Sequence, residues 1–216
     1  MATSARKLIA PEPPADLAQI ELALTRTPRV WVRLAPREAR SAIRWSQHGR
    51  YRFDSPDAKW GVCYLAESIP TAFQEIWGDQ IRRARRLDFL DLAAMTVWQM
   101  EVASTLHTIE LAGETLTAMK ATLQCFVGSY AKSQRWGAAL MEHPANLDGL
   151  QYLGRRSGRR CLALFGDAKK AKPHQSELVV RKLGRLIDWK GFWPFLDRIH
   201  VRVAHLPDKP SSESWG

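Results

Sequence analysis

The sequence KWGVCYLAESIPTAFQEIWGD, residues 59–79, carries the local signals around which the rest of the chain is organised. Val62–Ala66 is a compact apolar run with the length of a buried strand, and Glu67–Pro70 is a helix start. The amphipathic segment that follows contains one acid, Glu75, among apolar neighbours. The stretch therefore predicts a strand that leads into a helix. It leaves open whether Glu75 is a catalytic acid or a solvated helix residue.

Length and composition favour one folded domain, because the chain has 216 residues and 45% of them are hydrophobic. The first residues lack the charged-then-apolar order of a signal peptide, and no apolar run approaches the roughly 20 residues that span a bilayer. We therefore expect a cytoplasmic protein that contacts no membrane. The cysteines Cys63, Cys125 and Cys161 form no CxxC pair, and there is no HExxH motif. This pattern predicts free thiols in a reducing compartment and no metal site.

The net charge of +10 favours an anionic partner, either a nucleic acid or a phosphate-bearing small molecule. Much of the charge lies in two arginine clusters, at residues 82–86 and 155–160. A solvated face is the default explanation for the first cluster, which follows a predicted helix. Neither cluster accompanies a helix-turn-helix, zinc-finger or RNA-binding motif, so direct nucleic-acid binding is the weakest hypothesis.

The remaining predicted elements follow one another in an irregular order. A polar loop at residues 37–57 carries many large aromatic residues, and we expect it to lie over a cleft. Helices are predicted at Asp16–Thr25, from Gly113 to about Leu123, and at Tyr130–Glu142 with Ser133 as its cap. Strands are predicted at Arg29–Leu34, Leu87–Leu92 (strand or turn), Met95–Ala103, Leu106–Leu111, Leu150–Leu153, Cys161–Phe165, Leu178–Ile187 (a pair or ribbon) and Ile199–Ala204.

Strands outnumber helices and do not alternate regularly with them, which predicts an α+β domain rather than a βαβ array. The glycine patterns of phosphate-binding loops and dinucleotide-binding turns are absent. Three tryptophans, Trp60, Trp77 and Trp136, are expected in the core. Residues 1–13 and 209–216 are expected to be loose, and residues 168–175 to form a basic loop.

Four segments, in this order and spacing, resemble the RES domain family. Trp31–Leu34 is an early strand that bears an arginine, and Gly49–Asp54 is similar to the family's glycine-arginine-phenylalanine turn. Tyr64–Glu75 resembles the family's tyrosine strand and glutamate helix. The fourth segment runs from Ser133 to Phe165 and includes an Asp-Gly strand. The resemblance covers about residues 30–165.

The family is named for an arginine, a glutamate and a serine, and Arg33 and Glu75 match the first two. The serine normally follows two residues after the tyrosine of the Asp-Gly strand, and that position is Gly154 here. Ser157 lies three residues further on and would supply a hydroxyl if the turn folds back. Ser133 is a weaker substitute, because helix capping already explains it.

RES proteins resemble ADP-ribosyltransferases in fold, and characterised members are toxins that degrade NAD⁺ and pair with a helix-turn-helix antitoxin. The resemblance therefore implies a split, mixed or antiparallel β core with flanking helices. It also implies NAD⁺ as substrate, no prosthetic group, an Xre-like antitoxin partner and a homodimer. We expect an N-terminal arm with a short helix at residues 1–28, the RES-like catalytic domain at 29–205 and a loose tail at 206–216.

The resemblance and the chemistry of NAD⁺ cleavage together imply roles for the matched residues. Arg33 and Arg52 would bind the pyrophosphate, since a guanidinium fork holds phosphate oxygens bidentately. Glu75 would face the developing positive charge, and Tyr64 would pack against nicotinamide or donate its hydroxyl. The predicted catalytic residues are thus Glu75, Tyr64 and Arg33, and the predicted binding residues are Arg33, Arg52, Tyr64, Gly154 and Ser157.

Several functions remain open from the sequence. With water or phosphate as acceptor the enzyme is a glycohydrolase or phosphorylase, and with a protein as acceptor it is an ADP-ribosyltransferase. Gly154 in place of the serine leaves a third reading, a degenerate domain that binds NAD or a partner without turnover.

Overall fold

The predicted strand and helix around Glu75 both form, in a computed structural model that describes residues 10–46, 48–102, 106–166 and 178–206. In chain order the elements are β1 (Val30–Pro36), β2 (Gly61–Ala66), α1 (Ile69–Ala84), β3 (Arg86–Asp88), α2 (Phe89–Ala93), β4 (Met95–Val102), β5 (Thr108–Glu110), α3 (Gly113–Ala118), α4 (Gln124–Val127), α5 (Tyr130–Met141), β6 (Gly149–Leu153), β7 (Arg160–Gly166), β8 (Leu178–Arg185), α6 (Phe192–Arg198) and β9 (Arg202–Ala204), with 3-10 helices at Leu17–Gln19 and Leu186–Asp188.

Seven strands form one sheet in the order β5-β6-β7-β2-β1-β4-β8. Neighbouring strands are antiparallel except β5 and β6, which run parallel. Strand β1 pairs with β4 along its whole length but meets β2 only at Val32 opposite Ala66. The sheet is therefore split into two halves on either side of this contact. The prediction of an α+β domain with a split, mixed sheet is confirmed.

Strand β2 contributes to two cores, because successive side chains point to opposite faces of a sheet. Val62 and Ala66 belong to the larger core, which also contains residues of α1 and α5, whereas Cys63 and Leu65 belong to the smaller core. Apolar residues on both faces explain why the strand is a continuous apolar run in the sequence. Tyr64 shares the face of the larger core and is partly buried against it.

Helix α1 begins and orients as its sequence predicts. The Ser68 hydroxyl oxygen accepts a hydrogen bond from the backbone N–H of Thr71 at 3.3 Å, and Pro70 occupies the first turn, where no N–H partner is needed. Phe73 and Trp77, four residues apart, are buried on one side of the helix. Glu75 lies between them in sequence, so its side chain points away from that buried stripe.

The N-terminal helix predicted at Asp16–Thr25 is wrong. Only the single 3-10 turn Leu17–Gln19 forms, and the chain is extended from Ile20. The chain then continues to a bridge between Thr25 and Thr108, at the edge of the large sheet. Leu17 and Leu22 of this segment are buried by contact with the domain, and that tertiary packing overrides its weak helical periodicity.

Residues 10–13 are ordered against α5, although the sequence suggested a loose stretch. The indole N–H of Trp136 donates to the carbonyl oxygen of Pro11 at 3.0 Å. Glu12 accepts two hydrogen bonds from Arg135, each 2.8 Å long, and pairs with Lys132 at 3.1 Å. Residues 1–9, like the predicted basic loop at 168–175 and the stretch 209–216, lie outside the described residues.

The prediction that Ser133 caps α5 is also wrong. The helix begins at Tyr130 with Ser129 in the cap position, which places Ser133 one turn inside. Its buried hydroxyl donates towards the carbonyl oxygens of Ser129 at 3.3 Å and Tyr130 at 3.2 Å. This hydroxyl is therefore engaged within its own helix.

Other differences concern short elements. The segment 87–92 divides into the end of β3 and α2, because the Asp88 carboxylate accepts the Leu90 N–H at 2.8 Å and caps the helix. The segment 178–187 is one strand followed by a 3-10 turn, and the aromatic segment 189–196 leads into α6. The predicted core residues Trp60, Trp77 and Trp136 are buried.

Candidate functional site

A cavity of about 380 Å³ lies beside β1 and β2, at the split of the sheet. Four residues predicted from the sequence line it together: Arg33, Arg52, Tyr64 and Glu75. A neighbouring cavity of about 420 Å³ shares Arg33 and Tyr51 with it, so we treat the two as one cleft. Residues of the polar loop at 37–57 line both cavities, as the aromatic content of that loop predicted.

Glu75 is held by one carboxylate oxygen and leaves the other available. Oε1 accepts hydrogen bonds from the backbone N–H of Arg156 at 3.1 Å, the backbone N–H of Ser157 at 3.2 Å and the Ser157 hydroxyl at 3.1 Å. Oε2 accepts no hydrogen bond from the residues that the structure describes. Three donors on one oxygen fix the rotamer of the side chain, while Oε2 remains free to accept from a ligand in the cleft.

A glycine is required at position 154 because the side chains of Glu75 and Ser157 lie too close to it for a Cβ atom. A Cβ atom added there would lie 2.4 Å from Oε1 of Glu75 and 2.4 Å from the hydroxyl oxygen of Ser157. The turn after β6 folds back, with the N–H of Gly158 bonded to the Gly154 carbonyl at 2.9 Å. The hydroxyl of Ser157 therefore occupies the space beside Glu75 that a side chain at 154 would need.

Arg52 places an unsatisfied cation in the wall of the cleft. The residue is only 8% exposed, and its Nη1 is buried without a hydrogen-bond partner. The guanidinium carbon lies 5.4 Å from the centre of the Tyr152 ring, in cation–π range. Within the described parts of the chain no carboxylate forms an ion pair with Arg52. A buried polar group without a partner is costly, so the arrangement favours an anionic ligand that would satisfy it.

Arg33 lies at the split between β1 and β2 and lines both cavities. Its Nη1 donates to the Arg44 carbonyl oxygen at 3.3 Å and lies against the sulfur of Cys63. These contacts orient the guanidinium without neutralising it, and among the described residues it has no carboxylate partner. The structure thus keeps a second uncompensated cation in the cleft, between its two cavities.

Tyr64 presents its ring to the cleft, but its hydroxyl is already used. The hydroxyl donates to Oδ1 of Asp54 at 2.9 Å and accepts from the Phe53 N–H at 3.0 Å. Burial, and after it the negative charge of Asp54, raise the pKa of Tyr64 well above its ordinary value. The Tyr51 ring meets the Tyr64 ring edge-on, with centroids 5.7 Å apart. The predicted choice between ring packing and hydroxyl donation therefore favours the ring.

Asp54, which sequence reasoning passed over, organises the loop that carries Arg52. It is fully buried, and its Oδ2 accepts from the Ser46 hydroxyl at 2.9 Å and from the N–H groups of Arg50 and Tyr51, each at 3.1 Å. An aspartate that accepts backbone N–H groups three and four residues upstream is a turn device. Its position at the end of the glycine-arginine-aromatic turn was the signal that could have identified it.

Helix α5 holds the same loop from the other side. The side-chain amide of Gln134 donates to the carbonyl oxygens of Gly49 at 2.7 Å and Tyr51 at 3.0 Å. Gly137 in the next turn would bring a Cβ atom to 3.4 Å from the carbonyl oxygen of Phe53, so helix and loop are in close contact. The Arg52 side chain is therefore positioned by contacts from both sides of its loop.

Tyr152 and Cys161 also line the cleft and were not predicted as site residues. Burial raises the pKa of Tyr152 well above its ordinary value. Burial, followed by the negative charge of Glu75, raises the pKa of Cys161 to about 12. Both groups are thus neutral at physiological pH, and Cys161 is not a thiolate nucleophile. The charged residues that line the first cavity are Arg33, Arg52 and Glu75, and the second cavity adds Arg44 and Arg50.

Within residues 10–46, 48–102, 106–166 and 178–206, no group of three or more His, Cys, Asp or Glu side chains is arranged to hold a metal ion. All three cysteines are free and buried. None of the described helices is both long enough and apolar enough to cross a membrane.

Comparison with known proteins links this geometry to a family. A sequence model of the RES domain matches residues 14–183. The structure is also similar to a chain in the crystal structure of the M. tuberculosis MbcT–MbcA toxin–antitoxin complex, with a TM-score of 0.57 and 15% sequence identity. That alignment covers 85% of this chain and 98% of the other, and at such identity it concerns the fold alone. No match was found among curated proteins.

Proposed function

The chain belongs to the RES domain family, and we propose that it is an enzyme that degrades NAD⁺ by cleaving the nicotinamide–ribose bond. The observation that carries the proposal is the pairing of opposite charges in one cavity. Glu75 lines it with one free carboxylate oxygen, and Arg52 lines it with an unsatisfied, buried guanidinium nitrogen. NAD⁺ carries the complementary groups, an anionic pyrophosphate and a cationic pyridinium.

Cleavage of the nicotinamide–ribose bond depends on a negative charge close to the ribose rather than on an acid that protonates the leaving group. In NAD⁺ the nicotinamide ring is a cationic pyridinium, and its nitrogen keeps the electron pair when the bond to ribose breaks. The ring therefore leaves as a neutral molecule, and no group has to protonate it. The ribose then approaches an oxocarbenium ion, as in other glycosidic cleavages. A carboxylate oriented before the reaction stabilises that charge without reorganisation. In this proposal Oε2 of Glu75 faces the ribose, while the three donors on Oε1 hold the side chain.

The two cleft arginines are assigned to the pyrophosphate. Arg52 has a buried nitrogen to offer, and Arg33 lies between the two cavities. A dinucleotide is long, and a cleft made of two joined cavities suits it better than either cavity alone. The pyrophosphate between the two nucleoside halves would then lie close to Arg33. Planar guanidinium groups match phosphate oxygens in bidentate geometry, which a lysine would not reproduce.

An aromatic wall is available for the nicotinamide ring. Tyr64 and Tyr51 line the cavity with their rings in an edge-on pair. We assign Tyr64 to ring packing, since its hydroxyl is bonded to Asp54 and to the Phe53 N–H. Its contribution to catalysis would be positioning of the leaving group rather than proton transfer.

Ser157 favours an active enzyme over a degenerate domain. The sequence pattern puts Gly154 at the family's serine position, but the Ser157 hydroxyl donates to Glu75 at 3.1 Å. A degenerate domain was considered because Gly154 supplies no hydroxyl beside Glu75. Ser157 supplies one, so this argument against activity loses its basis. Gly154 itself contributes the empty space in which Glu75 and Ser157 meet.

The test is release of nicotinamide from NAD⁺ by the purified protein, followed by chromatography. Wild type should release it, and Glu75→Gln, which keeps the shape of the side chain but removes its charge, should be slower by about 10²–10³-fold. Glu142→Gln is the matched control, because Glu142 is exposed at the end of α5 and lies outside the cleft. Absence of release by wild type, or equal rates for the two glutamate variants, would contradict the proposal.

The same reaction run with phosphate, with water alone and with a cell lysate identifies the acceptor. ADP-ribose as product indicates a glycohydrolase, and ADP-ribose 1″-phosphate indicates a phosphorylase. A labelled protein band from NAD⁺ labelled in its ADP-ribose half indicates ADP-ribosyl transfer. All three share the bond that breaks, so the outcome refines the proposal without changing its first step.

We further propose that the protein acts as the toxin of a toxin–antitoxin pair with a helix-turn-helix antitoxin. Family membership supports this, together with a fold similar to that of a chain in a toxin–antitoxin complex. Induction in bacteria should arrest growth and lower cellular NAD⁺, and Glu75→Gln should do neither. Growth arrest that persists in Glu75→Gln would separate toxicity from NAD⁺ cleavage. The homodimer and the cytoplasmic location also stay predictions, and sedimentation of the purified protein tests the first of them.

A further inference from the structure

A separate basic pocket lies on the far side of the segment that holds Glu75. It has a volume of about 300 Å³, and Arg82, Arg155 and Arg156 line it together with Gln74, Gly78 and Ile81. No lining residue is shared with the first cavity of the cleft. The pocket joins the two arginine clusters of the sequence, which are separated by more than one helix and strand along the chain. If each arginine cluster were only a solvent-exposed surface of its own element, the two clusters would have no reason to line the same pocket.

The positive charge of the pocket is only partly compensated. Asp79 pairs with Arg156, and Asp79 remains more than half exposed. Arg82 and Arg155 form no ion pair with any described residue. The Nε of Arg156 is buried and has no hydrogen-bond partner. Like the buried nitrogen of Arg52 in the cleft, it is a donor without a partner among the described residues.

Close packing fixes the floor of the pocket. The Arg156 side chain lies flat on helix α1 at Gly78, where an added Cβ atom would come within 2.6 Å of Arg156 Cγ and 2.7 Å of its Cβ. Only a residue without a side chain allows this approach. The guanidinium of Arg156 is therefore held in one place, and its side chain is about one-fifth exposed. A preorganised guanidinium loses little conformational entropy when it binds an anion.

We propose that the basic pocket binds the phosphate group of a small molecule, at a site distinct from the NAD⁺ cleft. Phosphate and phosphate monoesters are close to dianionic at neutral pH and present several strong acceptor oxygens. Three arginines that line one pocket, with one compensating carboxylate, match that charge. A volume near 300 Å³ is at the lower end of ligand pockets, which fits a phosphate with a small substituent rather than a second dinucleotide.

The pocket is connected to the cleft through the backbone. Arg156 contributes its side chain to the pocket and its N–H to Oε1 of Glu75, and the next residue, Ser157, contributes two more donors to the same oxygen. A phosphate held by Arg155 and Arg156 would therefore restrain the segment that orients the carboxylate. This consequence for catalysis rests on the proposed function, whereas the binding site itself does not.

Calorimetric titration of the purified protein with inorganic phosphate tests the site without any measurement of activity. The titration is run on wild type and on Arg52→Gln, which removes the anion-binding group of the cleft. Saturable binding should persist in Arg52→Gln. Combined replacement, Arg82→Gln with Arg155→Gln, should weaken it by about tenfold or more, as expected when charge-assisted hydrogen bonds are lost. The matched control is Arg83→Gln, since Arg83 is exposed on the same helix turn outside the pocket.

Three results would overturn the proposal: no saturable binding in wild type, loss of all binding in Arg52→Gln, or equal weakening by Arg83→Gln. Parallel titrations with pyrophosphate and adenosine monophosphate distinguish the source of the phosphate group. Tighter binding of the monophosphate indicates a nucleotide, and equal or tighter binding of the inorganic ions indicates free phosphate. In the Arg52→Gln background, the backbone amide NMR signals of Arg156 and Ser157 should shift on phosphate addition. Signals that stay in place would contradict the location.

Discussion

Gly154→Ser restores the family's serine to its usual position, and we expect it to damage this protein rather than improve it. The new Cβ atom would lie 2.4 Å from Oε1 of Glu75 and 2.4 Å from the Ser157 hydroxyl oxygen, where real contacts rarely fall below 3.0 Å. Because the φ angle of Gly154 is outside the left-handed range, crowding alone causes the effect. Glu75 or the 155–157 segment has to move, and overpacking of this kind costs about 1–3 kcal/mol of unfolding free energy.

Urea and thermal unfolding measure the cost, which for a chain of this size corresponds to a lower Tm by about 2–4 °C per kcal/mol. Nicotinamide release measures the accompanying displacement of Glu75, and we expect a slower rate. The double variant Gly154→Ser with Ser157→Ala removes one of the two short contacts. Its destabilisation should therefore be smaller than the sum of the two single effects, as expected for residues in contact.

A Gly154→Ser protein within about 0.5 kcal/mol of wild type in stability and at least as active would refute this reasoning. It would mean that Glu75 is not confined by the 154–157 turn. The assignment of Ser157 as the functional replacement for the family serine would then fail as well. Additive effects in the double variant would contradict the shared contact even if each single variant were destabilised.

Three further predictions concern the surroundings of the site. Hydrogen bonds from Arg135 and then Lys132 lower the pKa of Glu12 from 4.5 to about 2, so its contribution to stability is full above pH 4.5 and is lost as the pH falls towards 2. Unfolding followed by circular dichroism should show that Glu12→Gln removes this part of the acid dependence, and an unchanged profile would contradict the ion pair. Gln134→Ala removes the side-chain donor of the Gly49 carbonyl oxygen and leaves the Tyr51 carbonyl oxygen with the Asp54 N–H alone. This loss should cost about 1–3 kcal/mol in chemical denaturation and raise KM for NAD⁺; unchanged stability and KM would show that the loop does not depend on α5. Cys161, with its pKa raised to about 12, should resist iodoacetamide in the folded protein at neutral pH, and rapid native-state labelling detected by mass spectrometry would show that the thiol is not buried as described.

The sequence around Glu75 predicted its local structure correctly because all the required signals are local. Ser68 and Pro70 define the helix start, and the β2 run is apolar because both faces of the strand are buried. The wrong prediction at Asp16–Thr25 has the opposite cause. Its weak periodicity competes with contacts to residues far away along the chain, such as the bridge between Thr25 and Thr108, which are 83 positions apart. Those contacts have no signature in the local sequence.

The candidate site divides in the same way. The order and spacing of the motifs in the sequence predicted Arg33, Arg52 and Glu75 as site residues. The structure brings all three to one cavity. The role of Ser157 could not be decided from spacing, because it depends on how tightly the turn after β6 folds back. The convergence of the two arginine clusters was equally inaccessible, since it requires knowledge of where β7 runs relative to α1.

The most direct test of the whole account is the rate of nicotinamide release by Glu75→Gln at saturating NAD⁺, compared with wild type in the same preparation. The proposed role of Glu75 predicts a rate lower by about 10²–10³-fold in a protein that unfolds at a similar temperature, because only the charge proposed to face the ribose has been removed. A Glu75→Gln protein that releases nicotinamide at the wild-type rate would contradict the account, whatever its arginines bind.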